Sequence, residues 1–195
     1  AQESRGLGDV YKRQTYSAGD RPVMEFGARR AQGPDSATYG ARAAVIGGCT
    51  STSNVLAAEK FGIPSAGTMA HAWVESFPDE LTSFEKWAQV YPDNAALLVD
   101  TYDVLKSGVP NAIKVFKELK AAGHQPVGIR IDSGDISQLS KAAPKMLDDA
   151  GLPEVKITAS NALDEHVVAS LLHEGAPLDN FGIGEKLITS ASSPV

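Results

Sequence analysis

Arg130-Ile-Asp-Ser-Gly-Asp135 closes the apolar run Pro126–Ile131, and its reading decides the fold. A short β-branched run of this kind reads as a buried strand of a parallel sheet. This one delivers a guanidinium and two carboxylates into the loop that follows. In parallel α/β proteins chemistry collects at the carboxyl ends of strands, so these charges stand where a site belongs. The arrangement recurs along the chain. Gly67-Thr-Met-Ala-His71 follows Gly62–Ala66, Ser160-Asn161 follows Val155–Ala159, and Gly182-Ile-Gly184 follows a short turn.

Outward from these strand ends, helical patterns alternate with the apolar runs. Helices are expected from about Asp35 to Gly47-Gly48, over Thr52–Lys60, Thr68–Phe77 and Asp79–Val90. The clearest is Val109–Ala122, with Ile113, Val115, Phe116 and Leu119 on one side, lysines on the other and Gly123 as its stop. Ile136–Ala150 and Asp164–Glu174 complete the set. Strands fall at Gly62–Ala66, Ala95–Asp100, Pro126–Ile131, Val155–Ala159 and near Phe181. Strands alternating with helices imply βα units. About five strands, against the eight and roughly 250 residues of a closed barrel, describe an incomplete (β/α) barrel. The GxGxxG of a dinucleotide fold is missing from the first βα turn. Residues 1–14 show no clean period and resemble translated sequencing adaptor, so they are set apart as a non-native segment, leaving 15–195 as a partial barrel domain.

Bulk properties narrow the partners. The 195 residues carry a net charge of −6 with 43% hydrophobic content, which disfavours a nucleic-acid partner and requires local cations for any anionic ligand. No apolar stretch approaches a membrane span. The single cysteine, Cys49, excludes an internal disulfide, fits a reducing cytoplasm, and reads as a small buried residue.

Three groups of residues could carry chemistry. Thr68 as N-cap of a helix would accept from the N–H of residue 71, placing His71 in the first turn, where the positive helix end disfavours a second ring proton and leaves a nucleophilic imidazole. The same N–H groups can hold a phosphate. Against this stands a packing histidine beside a capping threonine; His124, His166 and His173 lack any such context and read as surface residues. The carboxylates of Asp132 and Asp135 could bind a magnesium diphosphate or the hydroxyls of a ribose, and Arg130 could pair with a carboxylate or stack on an aromatic ring. Their structural alternative is an Arg–Asp pair with Asp135 capping the next helix. Arg29-Arg30 beside Gly27 and Gly33 make an anion clamp, Ser160-Asn161 a phosphate seat or a helix cap with Asp164, and Gly182 with Gly184 a loop whose N–H groups are open to a phosphate.

The motifs EFGARRAQGPDS, GGCTSTSNVLA, FGIPSAGTMAHAW, IRIDSGD, SNALDE and FGIGEKLITS, in this order from Met24 to Val195, resemble the nicotinate phosphoribosyltransferase family. The resemblance implies a type II phosphoribosyltransferase barrel with a separate α/β domain built from outer parts of the chain. It implies synthesis of nicotinate mononucleotide and diphosphate from nicotinate and phosphoribosyl diphosphate, with Mg²⁺, and with ATP consumed through a phosphohistidine. A homodimer is implied for the full-length protein. His71 matches the phosphorylated histidine and Thr68 a neighbour of nicotinate. Arg130 matches a nicotinate contact, Asp132 and Ser133 residues at the ribose and diphosphate, with Asp132 in the catalytic role and Asp135 beside them. Arg29 matches an arginine near the base and diphosphate; Gly182 and Gly184 match the loop holding the 5′-phosphate. Ala72 stands where the family often has serine, and Glu185 where some relatives have threonine.

Relatives that use nicotinamide carry an aspartate near GGCTSTSN. Ser51, Thr52, Ser53 and Asn54 supply no acid, which favours the acid substrate. A non-catalytic phosphate-binding barrel segment is the alternative from another class, and an unrelated barrel lyase or isomerase leaves GTMAH with RIDSGD unexplained. Without the outer parts of the family's chain, the 195 residues are expected to be inactive or poorly folded.

Overall fold

The computed structural model describes residues 3–189. In chain order its helices and strands are α1 (Glu3–Ser17), β1 (Val23–Glu25), α2 (Pro34–Ile46), β2 (Ser51–Thr52), α3 (Val55–Phe61), α4 (His71–Glu75) and α5 (Glu80–Val90). There follow β3 (Ala96–Leu98), α6 (Val109–Ala121), β4 (Gly128–Ile131), α7 (Ile136–Asp149), β5 (Lys156–Ala159), α8 (Glu165–His173), β6 (Asn180–Ile183) and α9 (Glu185–Ile188). The chain divides into two compact units. One comprises Ala1–Gly67, Ser160–Glu174 and Asn180–Val195, the other Thr68–Ala159 and Gly175–Asp179.

In the first unit β1 is the middle strand, parallel to β2 on one side and β6 on the other, with Glu25 opposite Thr52 and Met24 opposite Gly182. In the second unit β4 is the middle strand, parallel to β3 and β5, with Leu98 opposite Arg130 and Arg130 opposite Thr158. Leu97, Leu98, Ile129, Ile131, Ile157 and Ala159 are all buried, as expected where both faces of a parallel strand are covered. The helix α6 packs Val109, Ala112, Val115, Phe116 and Leu119 inward, the spacing that marked it in the sequence. Side chains close helix starts where the sequence placed polar residues. Asp79 accepts from the N–H of Thr82 at 2.8 Å, Asp135 from Gln138 at 3.0 Å and Asn54 from Ala57 at 3.1 Å.

Several expectations are corrected. The described residues contain six parallel strands rather than five. The extra ones, β1 and β2, are three and two residues long and lie outside any apolar run. Gly62–Ala66 forms only a single bridge, Ser65 to Thr52. Much of the segment set apart for want of a period is helical: α1 buries Tyr11 and Gln14, Ala18 just past its end is buried as well, and the Thr15 hydroxyl donates to the Gly47 carbonyl at 3.0 Å. The spacing 11, 14, 18 is helical, but only Tyr11 and Ala18 are apolar, so a hydrophobicity count passes over it.

Ahead of α6, one π turn (Val104–Gly108) is capped by Asp103, whose carboxylate accepts from the N–H groups of Leu105 and Lys106. This turn brings Gly108 hard against Val99. A Cβ on Gly108 would sit 1.8 Å from the Val99 carbonyl oxygen.

Candidate active site

The register of the second unit assembles the site. With Leu98 opposite Arg130, the chain leaves β3 and β4 side by side, and just beyond them Asp100 meets the backbone of Asp132. Val99 extends the ladder by donating its N–H to the Arg130 carbonyl at 3.1 Å. The Asp100 side chain is 1% exposed and uses both oxygens. Its Oδ1 lies 3.1 Å from His71 Nε2. Its Oδ2 accepts the Asp132 N–H at 3.0 Å and the Ser133 hydroxyl at 2.5 Å. A buried carboxylate must have its lone pairs satisfied, and three donors accomplish that. Gly134, with φ +76, makes the tight turn that lets the loop fold back over Asp100.

Arg130 joins the same cluster. One terminal nitrogen donates to the Thr68 hydroxyl at 2.8 Å and the other to Asp132 Oδ1 at 2.9 Å. Side chains at i and i+2 of a strand share a face, and here they pair with each other at 15% and 18% exposure. The expected Arg–Asp pair is therefore present, inside the cluster of candidate residues rather than apart from it.

The expected capping by Thr68 is corrected. α4 begins at His71 with Ala70 as its uncapped N-terminal residue, and the Thr68 hydroxyl donates to the Met69 carbonyl while accepting from Arg130. Met69 is buried in the segment ahead of the helix, and helix geometry starts three residues later than the polar signal suggested. His71 is oriented by a carboxylate, not by a helix cap. Asp100 closed the apolar run Ala95–Asp100 and was not singled out as a site residue. The available signal was its position, an acid at the carboxyl end of a buried strand, which is the feature that singled out Asp132.

Asp135 is exposed and caps α7, the structural role given as its alternative. The other candidates lie in the first unit. Ser160 is buried, and Asn161 is exposed with φ +83, followed by Ala162 at φ +44. Neither Ser160 nor Asn161 caps α8; Asp164 does, accepting from the N–H groups of His166 and Val167. Arg29 is exposed on a 3₁₀ turn, and Arg30 lies 3.6 Å from Glu185, so the acid that departs from the family pattern meets a base. Gly182 and Gly184 are glycines for a packing reason. A Cβ at 182 would lie 2.4 Å from the Phe26 ring, and one at 184 lies 2.7 Å from the Phe26 carbonyl oxygen. The close approach of Phe26 therefore requires glycine at both positions.

Glu25 alters the reasoning about GGCTSTSN. That stretch has no acid of its own, yet the pairing of β1 with β2 brings the buried Glu25 onto the Thr52 hydroxyl at 2.5 Å and onto the Gly27 N–H. Burial pushes the Glu25 carboxyl above its ordinary range, only partly opposed by those two hydrogen bonds. Burial also pushes the Cys49 thiol up to about 12, with Glu25 adding to the shift, so Cys49 is the inert buried residue expected of it. A raised carboxyl pKa favours folding below the ordinary Glu range, and that advantage is lost as pH rises through the shifted value. Glu25→Gln removes the titration. Measured at pH 5 and pH 8, the thermal midpoint of the variant should gain on the parent at the higher pH; parallel changes in both would refute the assignment.

A cleft of about 580 Å³ in the first unit, lined by Tyr11, Tyr39, Arg42 and Ile46 among others, contains none of the candidate residues. Among the described residues no three of His, Cys, Asp and Glu are grouped to hold a metal, and no helix is long and apolar enough to cross a membrane.

Comparison with known proteins matches this geometry to a family. The model of the nicotinate phosphoribosyltransferase (NAPRTase) family matches residues 22–193. The chain is 51% identical to nicotinate phosphoribosyltransferase of Bacillus subtilis over 90% of its own length and 36% of that protein's. It is 46% identical to nicotinate phosphoribosyltransferase pncB2 of Mycobacterium tuberculosis, over 91% of its length and 38% of that protein's. The crystal structure of human nicotinic acid phosphoribosyltransferase superposes with a TM-score of 0.84 at 31% identity, covering 91% of this chain and 46% of that one. The chain thus spans little more than a third of the curated relatives it matches. The α/β fold class expected from the sequence, part of a type II phosphoribosyltransferase barrel, is the one found.

Proposed function

Since the chain belongs to the nicotinate phosphoribosyltransferase family, we propose that the full-length protein transfers phosphoribosyl from phosphoribosyl diphosphate to nicotinate in NAD biosynthesis. The products are nicotinate mononucleotide and diphosphate, with ATP used through phosphorylation of His71. The observation that carries the reading is the hydrogen-bonded cluster Thr68–Arg130–Asp132–Ser133–Asp100–His71 at adjoining strand ends.

Displacing diphosphate from the anomeric carbon builds oxocarbenium-like charge. Asp132, held by Arg130, is a carboxylate suited to that charge or to a ribose hydroxyl. The guanidinium of Arg130 presents a planar fork of donors to a pyridine carboxylate. Aligning the pyridine nitrogen with the leaving group supplies much of the acceleration in such reactions. Asp132 is also the candidate carboxylate for Mg²⁺, an ion typically held by one or two carboxylates together with substrate phosphates. A bound Mg²⁺ would neutralise charge on the departing diphosphate.

With Asp100 accepting at Nε2, the lone pair of His71 is on Nδ1, and the ring is 38% exposed. In the ATP step the Nδ1–P bond forms as the bond from the γ-phosphorus to the bridging oxygen breaks, and ADP departs. The buried Glu25 is engaged by Thr52 and Gly27 rather than offered as an acceptor for an amide, which supports nicotinate over nicotinamide. The test incubates the full-length protein and His71→Ala with nicotinate, phosphoribosyl diphosphate, Mg²⁺ and ATP. Nicotinate mononucleotide formation by the parent, with ATP stimulation lost in the variant, is the expected result. A folded parent that makes no product would sink the proposal.

A further inference from the structure

A second carboxylate of this unit, Glu80, is buried away from the cluster of candidate residues. It stands at the first position of α5 and is 3% exposed. Its Oε2 accepts from the Ser107 hydroxyl and, at 3.0 Å, from the Asn111 side-chain amide. Its Oε1 is buried without a hydrogen bond among the described residues. A carboxylate so enclosed and only half satisfied opposes folding unless its placement serves another end.

What Glu80 holds is unusual backbone. The Gly108 N–H reaches back to the Asp103 carbonyl at 2.9 Å, and the Val109 N–H to the Val104 carbonyl, each across five residues. Turns of this width are rare, occur singly and concentrate at functional sites. Ser107 lies in the turn and Asn111 in the first part of α6, so one carboxylate oxygen ties the wide turn to the ordinary helix that continues it. On its other side the turn presses Gly108 against the Val99 carbonyl, where a Cβ has no room. The Val99 N–H donates to the Arg130 carbonyl at 3.1 Å. Val99 is therefore gripped on both its polar groups, by the π turn and by β4, and Asp100 is the next residue. Resting on the site reading given above, we propose that Glu80 is a positioning residue for the reaction. By fixing the π turn it seats Val99, and through Val99 it sets where Arg130 and Asp100 stand.

The unpartnered Oε1 shows that a single acceptor oxygen does the holding. A glutamine amide can offer that oxygen to Ser107 and Asn111 alike, but its nitrogen then lies where no acceptor is found, which lowers stability. Glu80→Gln should thus keep the geometry while losing stability, whereas Glu80→Ala releases the turn. Ser107→Ala removes the same tie from the other end.

The test uses these three variants in the full-length protein. Three quantities are read: the urea midpoint, kcat/KM for nicotinate per folded molecule, and the rate at which diethyl pyrocarbonate modifies His71, with His124 as internal reference. Glu80→Ala and Ser107→Ala should each lower kcat/KM about tenfold, since small misplacements far from the chemistry are costly. In both, His71 should react severalfold faster, because a ring released from Asp100 can carry its lone pair on either nitrogen. The double variant should be no worse than Glu80→Ala alone, as expected of two ends of one contact. Glu80→Gln should match the parent in kcat/KM and in His71 reactivity despite a lower midpoint. If Glu80→Ala lowers the midpoint and leaves the other two quantities unchanged, Glu80 is merely structural and the inference is overturned. Equal losses of activity in Glu80→Gln and Glu80→Ala would overturn it as well, by showing that charge is what matters. Should Glu80→Ala not fold, Ser107→Ala decides by the same criteria. A folded parent that makes no product refutes the proposed function, while His71 reactivity still tests the placement by Glu80.

Discussion

Arg130→Ala is expected to lower kcat/KM for nicotinate by about 100-fold in the full-length protein, roughly 2.7 kcal/mol of lost transition-state stabilisation. The size follows from what the guanidinium holds. It donates to Thr68 and to Asp132 at 2.8 and 2.9 Å in a setting where both charged side chains are less than one-fifth exposed. Hydrogen bonds to charged groups contribute about 1.5–3 kcal/mol each, and removing a donor from a poorly solvated carboxylate costs more than the mean. Arg130→Lys should recover little, because one ammonium cannot span the threonine hydroxyl and the carboxylate as a planar fork does. Thr68→Val should be milder, since Arg130 keeps Asp132. Steady-state kinetics on the three variants check the order. Full activity in Arg130→Lys would show that only charge is needed at this position.

Gly108→Ala should be the most destabilising single methyl that can be added to the second unit's core. The new Cβ would lie 1.8 Å from the Val99 carbonyl oxygen and 2.8 Å from the Val99 Cβ, and both belong to the segment that carries Asp100. Neither is the free end of a side chain, so the π turn or the strand must shift. Overpacking of this sort costs about 3 kcal/mol at its upper end, a large share of the stability of an ordinary domain. Gly67→Ala is the control, being exposed with no atom within 4 Å of a new Cβ; it should change stability by less than about 0.5 kcal/mol. Urea midpoints for the two variants decide the matter, and equal midpoints would refute the steric account. Where Gly108→Ala does fold, displaced Val99 should carry Asp100 away from His71 and ATP stimulation should fall with it.

The parts of the fold that were legible in the sequence are those written in long or buried patterns. The helices α5, α6 and α7 and the strands β3, β4 and β5 lie within a few residues of where periodicity put them, because each buries a regular apolar set. β1 and β2 were invisible because two or three residues cannot display a period of two, and both include polar side chains, Glu25 and Thr52, that are buried against one another. The strand expected at Gly62–Ala66 failed for the opposite reason: glycine and proline frame it, and its Pro64 carbonyl and Ala66 N–H find only Thr52 as a sheet partner. In the site, Arg130, Asp132 and His71 were legible as polar residues beside buried strands. Asp100 was not, since no neighbouring motif draws attention to a single acid ending an apolar run. Its importance comes from the pairing of β3 with β4, which brings it to the Asp132 N–H and the Ser133 hydroxyl, and that is a tertiary fact. Likewise the ring and carbonyl of Phe26, which require glycine at 182 and 184, are 156 residues or more away in sequence.

The turn after β5 bends through left-handed backbone at Asn161 and Ala162, without glycine at either place. Asparagine visits that region readily; alanine does so at a cost of about 1–2 kcal/mol. Such a segment has few other conformations to explore once the protein is folded. A glycine-built loop surrenders its freedom when a ligand arrives, and the affinity is weaker by that loss of entropy. Here the freedom was surrendered at folding. Anything that meets the backbone of Ser160–Ala162 encounters a surface already set, quick to recognise a matching shape and poorly able to adapt to another. Glycine at position 162 would relieve the backbone and exchange that selectivity for tolerance.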